Sequence, residues 1–159
     1  MAKKYSYRKS PRLEGYDYSQ SGGYFVTICT HNRQHLFGHI KMDTMTLSKA
    51  GLIAESRWLA TPEHHPHVVL DKFIIMPNHV HMILFLDNDA GKNSPLSSVI
   101  SSYKSSATRH IRQQLEQDDL PIWQGRFHDH IIRNETELNK LRNYVIHNVD
   151  LWAEDRFYS

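Results

Sequence analysis

The chain reads as an α+β protein with a ferredoxin-like, split β-α-β arrangement: an antiparallel sheet, helices on one face, and an added C-terminal helix. Three observations lead there. Apolar, β-branched runs recur at residues 24–30, 67–76, 79–86 and 127–133, each bounded by turn-forming residues as strands are. Segments with apolar residues at steps of three and four, the helical period, fill the intervals between the first and second runs and between the third and fourth. Only Pro77-Asn78 separates the second run from the third, so those two strands form a hairpin. The resulting order is β-α-β-β-α-β-α.

Residues 1–22 form a basic and aromatic arm, with Tyr5, Tyr7, Arg8, Lys9, Arg12, Tyr16 and Tyr18 and little regular structure. The remaining residues, 23–159, make a single domain without repeats or low-complexity stretches. Tyr24-Phe-Val-Thr-Ile-Cys-Thr30 is the first strand, and a short strand follows a turn at 36–40. Ser48 is placed to N-cap a helix over about 49–60, which ends near Pro62. A polar loop over 87–93 leads to Ser94-Pro95, an N-cap followed by proline at the first helical position. The helix beyond it carries Leu96, Val99, Ile100, Tyr103, Ala107, Ile111 and Leu115 on one stripe and breaks at 118–121. Asn134-Glu-Thr-Glu137 is a capping box opening a last helix to about Val149, with Leu138, Leu141, Val145 and Val149 on its core side.

A length of 159 residues suffices for one well-packed core. The net charge of +2 permits a nucleic-acid partner without demanding one. Cys29 is the only cysteine, which excludes an internal disulfide and any cysteine-based zinc site and suits a reducing, cytoplasmic location. The polar start Met1-Ala-Lys-Lys lacks an apolar signal core. No apolar run approaches the roughly 18 residues of a membrane span.

The chemistry centres on His79-Val80-His81. A strand has a side-chain period of two, so both imidazoles point to one side of the sheet and supply half of a divalent-metal site. The same pattern also fits two structural histidines at a strand edge. A cation there needs a further ligand, and open positions if it is to polarise a substrate oxygen. The last helix offers Tyr144 and Asn148, four apart on one face and flanking the core stripe. His79, His81 and Asn148 around a cation, with Tyr144 one turn away, would make a phosphodiester-cleaving site with a covalent phosphotyrosine intermediate. Tyr103 is a rival nucleophile amid Lys104, Arg109 and Arg112, but its place between Ile100 and Ala107 assigns it to the core. His128-Asp-His130 is a second pair, read as surface, secondary support or DNA contacts. His64, His65 and His67 have no ligand spacing, and Glu55 falls on a solvated face. The Tyr, Arg and Lys residues of the arm suit base stacking and phosphate tracking, and Lys104, Arg109, Arg112 and Arg126 add basic groups.

Pro77-Asn-His-Val-His81, Trp123-Gln124, His130-Ile-Ile-Arg-Asn-Glu135 and Tyr144-x-x-x-Asn148 resemble the single-tyrosine HUH transposases, and within them the REP-associated tyrosine transposases. The resemblance runs from Arg8 to about Trp152. It implies Mg²⁺ or Mn²⁺ held by His79, His81 and Asn148, with Tyr144 as nucleophile. It implies cleavage of single-stranded DNA beside a hairpin, leaving a 5′-phosphotyrosine and a free 3′-hydroxyl able to rejoin. The candidate DNA contacts are Arg8, Lys9, Arg12, Tyr16, Lys104, Arg109, Arg126 and His130. Asn148 stands where the wider family often has glutamine. Gly125 stands where many relatives have arginine, and Val149 where many have proline. Both a monomer and a homodimer exchanging the tyrosine helix fit the resemblance. Two other functions use the same features: a hairpin DNA-binding module without catalysis, and a metal-dependent hydrolase of small phosphoesters.

Overall fold

The computed structural model describes residues 22–87 and 94–152. The arm, with Arg8, Lys9, Arg12 and Tyr16, lies outside the described residues. Four strands, β1 (Gly22–Cys29), β4 (Val68–Met76), β5 (His79–Leu86) and β6 (His128–Ile131), form one sheet in the order β4-β5-β1-β6. Every neighbouring pair is antiparallel. This is the split β-α-β order expected from the sequence. A separate hairpin joins β2 (Gly38–Lys41) to β3 (Thr44–Leu47). The helices are α1 (Lys49–Leu59), the single turn α2 (Thr61–His64), α3 (Leu96–Leu115) and α4 (Glu135–Ile146).

The period of two sorts the sheet into two faces. Tyr24, Val26 and Ile28 of β1 and Val80, Met82, Leu84 and Leu86 of β5 pack with Trp58 of α1 and Val99, Ile100, Tyr103, Ala107 and Ile111 of α3 in the main core. The alternate residues Phe25, Ile74, Ile83 and Phe85 meet Leu138, Leu141 and Val145 of α4 in a second cluster. Thus α1 and α3 share one face, and the C-terminal helix covers the other. His79 and His81 belong to the α4 face by their odd positions on β5.

Several local expectations change. The strand β3 has no signal in the sequence because its turn is Met42-Asp43, both in the left-handed region (φ 52° and 58°) without the usual Gly or Asn. Helix α3 is capped by Pro95 rather than Ser94. The Ser94 hydroxyl instead shares a hydrogen bond with His65 Nδ1 (3.2 Å), and its carbonyl accepts from His67 Nε2 (2.8 Å). These two histidines, which had no ligand spacing, anchor the start of α3. The fourth strand is shorter than 127–133, a four-residue edge strand at His128–Ile131. Helix α4 ends at Ile146, not Val149. The chain continues in turns to Trp152, with Leu151 N–H bonded to His147 O (3.2 Å), so Asn148 lies just beyond the helix. The Asn134 cap forms as expected, accepting from Glu137 N–H at 2.8 Å.

Candidate active site

His79 and His81 are fully buried, at 0% and 1% exposure, and their Nε2 atoms are 3.0 Å apart. Their other nitrogens are both held. His79 Nδ1 lies 2.7 Å from Asn78 Oδ1. An amide oxygen only accepts, so Nδ1 carries the proton and the Nε2 lone pair is turned toward His81. His81 Nδ1 lies 2.8 Å from Thr27 Oγ1. That bond follows from the register, in which Thr27 and His81 are cross-strand partners. Phe25, two residues along β1, stacks on the His81 ring (5.3 Å, 21°). Both imidazoles are therefore fixed in direction, with their Nε2 atoms facing each other at 3.0 Å.

Helix α4 lies over this pair. Arg142 clamps it to β4 through two hydrogen bonds to Asp71, Nη2 to Oδ2 at 2.6 Å and Nε to Oδ1 at 2.9 Å. Leu138 and Val145 pack into the cluster below. The half-buried Tyr144 then sits edge-on to His81, with ring centroids 5.2 Å apart, and 6.0 Å from Phe25. Trp152 stacks on His79 (6.2 Å, 22°) and also meets His35 (5.7 Å). Tyr144, Asn148 and Trp152 are spaced by four along successive turns, so Asn148 is bracketed by one residue touching His81 and another touching His79. Asn148 is 1% exposed, and among the described residues neither its Oδ1 nor its Nδ2 has a hydrogen-bond partner. An unsatisfied buried amide costs on the order of 1–3 kcal/mol, and a cation bound by its oxygen removes part of that cost. Two imidazole nitrogens and an amide oxygen form a donor set that leaves positions open for water and substrate. No group of three His, Cys, Asp or Glu side chains among the described residues has metal-binding geometry, because the third candidate here is an amide.

Tyr103 is spent in the core. It is 3% exposed, its hydroxyl donates to Ala54 O (2.9 Å), and burial pushes its phenol far up from the ordinary range. The other sequence candidates are dispersed. His130 lies beside Phe25 in the sheet register, on the α4 face, with Nε2 at 2.9 Å from Glu137 Oε1. His128 pairs with Thr27 and is exposed. Lys104, Arg109 and Arg126 lie apart from the histidine pair: Lys104 and Arg109 on α3, across the sheet, and Arg126 in the loop before β6. Glu55 lies on α1, on that far side as well. Three contributors escaped sequence reasoning. Thr27 acts through a contact that only the register reveals, whereas Asn78 is the sequence neighbour of the histidine it holds. Trp152 was accessible through its spacing from Tyr144 and Asn148.

Comparison with known proteins follows the same lines. Residues 18–148 match the family model described as Transposase IS200 like. An uncharacterized protein of Haemophilus influenzae is 34% identical, covering 96% of this chain and 93% of its own. A second protein of that organism, provisionally named a REP-associated tyrosine transposase, is 24% identical over 83% of this chain and 72% of its own. Among solved structures, a REP-associated tyrosine transposase bound to a REP hairpin superposes with a TM-score of 0.63 at 21% identity, covering 86% of this chain and 72% of that one. A structure from Deinococcus radiodurans, provisionally named a transposase, gives 0.56 at 13% identity, covering 87% and 96%. At these identities the two structures speak for the fold.

Proposed function

The chain belongs to the IS200-like transposase family, and on that premise we propose that it cleaves and rejoins single-stranded DNA beside hairpins, using Tyr144 as nucleophile. The observation that carries this reading is the convergence of the His79 and His81 Nε2 atoms beneath Tyr144, with the unpartnered amide of Asn148 between the two aromatic contacts. Mg²⁺ or Mn²⁺ held by His79, His81 and Asn148 would supply Lewis-acid polarisation of a phosphate oxygen.

The chain's own residues account for the remainder. Asn78 holds the His79 imidazole in the tautomer whose lone pair is on Nε2, and Thr27 fixes the orientation of the His81 ring. Phe25 and His81 pack against the Tyr144 ring, and the residue is only partly buried. Attack by Tyr144 Oη on the phosphorus breaks the bond to the 3′-oxygen. The 3′-hydroxyl departs with a proton, and the 5′-phosphate remains on tyrosine. The reverse attack by a 3′-hydroxyl restores a phosphodiester, so the bond energy is conserved in the intermediate.

The test uses end-labelled oligonucleotides with a hairpin and a single-stranded tail, incubated with Mn²⁺ and resolved under denaturing conditions. Wild type and Tyr103→Phe are expected to form a covalent protein–DNA adduct, and Tyr144→Phe none. Hairpin binding by wild type without an adduct would leave only a DNA-binding module. Adduct formation by Tyr144→Phe, or full activity in EDTA, would overturn the nucleophile or the metal role.

A further inference from the structure

Beyond Ile146 the chain leaves α4 in hydrogen-bonded turns. Asn148 N–H donates to Val145 O (3.3 Å), Leu151 N–H to His147 O (3.2 Å) and Trp152 N–H to Val149 O (3.2 Å). His147, Asp150 and Leu151 are exposed, so few apolar contacts hold these turns down, and turns of that kind open easily. The indole of Trp152 is their anchor. One side of it stacks on His79 (6.2 Å, 22°), and the other meets His35 edge-on (5.7 Å, 65°). Both walls of this slot are tied to Thr30, which is 0% exposed. Thr30 N–H donates to Asn78 O (2.9 Å), and its hydroxyl is shared between Gln34 O (2.7 Å) and Asn78 O (3.1 Å). Gln34 precedes His35, and the Asn78 side chain holds His79 Nδ1 (2.7 Å). The loop presenting His35 is itself turned back by Asn32 and Arg33, both in the left-handed region (φ 53° each), a strained conformation that persists only where the surroundings enforce it.

We propose that Trp152 is a positioning residue for the cation: wedged between His79 and His35, it sets the tilt of the His79 ring and holds the Asn148 amide against the histidine pair. The proposal rests on the metal reading above. Its support is a matched arrangement of the two imidazoles. His81 has one hydrogen bond on Nδ1, from Thr27, and one aromatic ring on its face, Phe25 (5.3 Å, 21°). His79 has the same two supports, Asn78 on Nδ1 and Trp152 on its face. A hydrogen bond fixes where a ring nitrogen points, and a stacked ring fixes the plane in which it lies. The two aromatic supports differ in origin. Phe25 is part of β1, whereas Trp152 comes from the turns that carry Asn148. One contact therefore aligns an imidazole and, through the turn closed at Val149 O, the buried amide four residues earlier. Trp152 belongs to neither apolar cluster, so its replacement leaves the core packing in place while releasing both donors.

The experiment titrates the full chain with Mn²⁺ in the absence of DNA, by calorimetry and by tryptophan fluorescence. Trp152→Leu is expected to weaken Mn²⁺ binding about 10–100-fold, with the unfolding midpoint of the metal-free protein close to that of wild type. Trp152→Phe keeps a ring in the slot and should recover most of the affinity. Paramagnetic Mn²⁺ quenches an indole beside it. Of the three tryptophans, Trp58 and Trp123 belong to the main core across the sheet, so quenching should follow the calorimetric isotherm in wild type and largely vanish in Trp152→Phe. Unchanged Mn²⁺ affinity in Trp152→Leu, or equal losses in the Leu and Phe variants, would overturn the positioning role. So would a loss of affinity accompanied by a collapse of the metal-free midpoint, which would make Trp152 a structural residue. A wild type that binds no Mn²⁺ defeats the metal reading together with this one. Absence of a wild-type DNA adduct defeats the transposase reading while leaving the Mn²⁺ titrations standing, so the failures are distinguishable.

Discussion

At the residue scale the site is an arrangement of tautomers and of one unsatisfied amide. The His-x-His pair was legible in the sequence because a strand's period of two fixes both side chains on one face. The hydroxyl that aims His81 was not. Thr27 lies 54 positions away from His81, and only the strand register joins them. A metal-ligating histidine depends on such partners, and their loss typically weakens metal binding 10–100-fold. Thr27→Val keeps the shape and removes the hydroxyl. Calorimetric titration with Mn²⁺ should show a loss in that range, and an unchanged affinity would remove Thr27 from the site. Asn148→Leu tests the amide in the opposite sense. Replacing a buried polar group that lacks a partner should leave the metal-free protein as stable as wild type or more so. At 100 times its dissociation constant, metal stabilises wild type by about 2.7 kcal/mol, and Asn148→Leu should lose most of that shift in thermal unfolding. A variant that melts earlier without metal yet still responds fully to it would make Asn148 structural.

At the element scale the decisive feature is the docking of α4. The sequence predicted the helix and its cap, because Asn134 and Glu137 are local signals. It overran the C-terminal end, because Asn148 and Asp150, whose short polar side chains compete for backbone hydrogen bonds, begin a looser turn. The clamp itself, Asp71 to Arg142, spans 71 positions and carries no local signal. Partial burial tends to raise the Asp71 pKa, but the Arg142 hydrogen bond, the Lys72 N–H and both positive charges outweigh it, so the pKa is lowered. A carboxylate with a lowered folded-state pKa contributes stability above its ordinary pKa and loses it as pH falls through the folded value. Asp71→Asn should therefore cost about 1 kcal/mol near neutrality, allowing for solvent screening of a part-exposed pair. The difference from wild type should shrink below about pH 4. Denaturant melts at several pH values measure this, and a constant difference across pH would refute the clamp. Loosening α4 should also slow adduct formation more than it weakens DNA binding, since Tyr144 is carried by that helix.

At the scale of the whole molecule, the sheet was legible in outline because four strand runs and two helical periods have the order of a split β-α-β unit. The return of the loop after α3 to the end of β1 was not, because the Thr30–Trp123 bridge and the hydrogen bond from Gln124 N–H to Cys29 O (3.0 Å) join residues far apart in sequence and leave no local signal. Cys29 is the cross-strand partner of His79, so that loop meets the sheet at the histidine end of β5, and the register that aligns Thr27 with His81 is closed off at the same end.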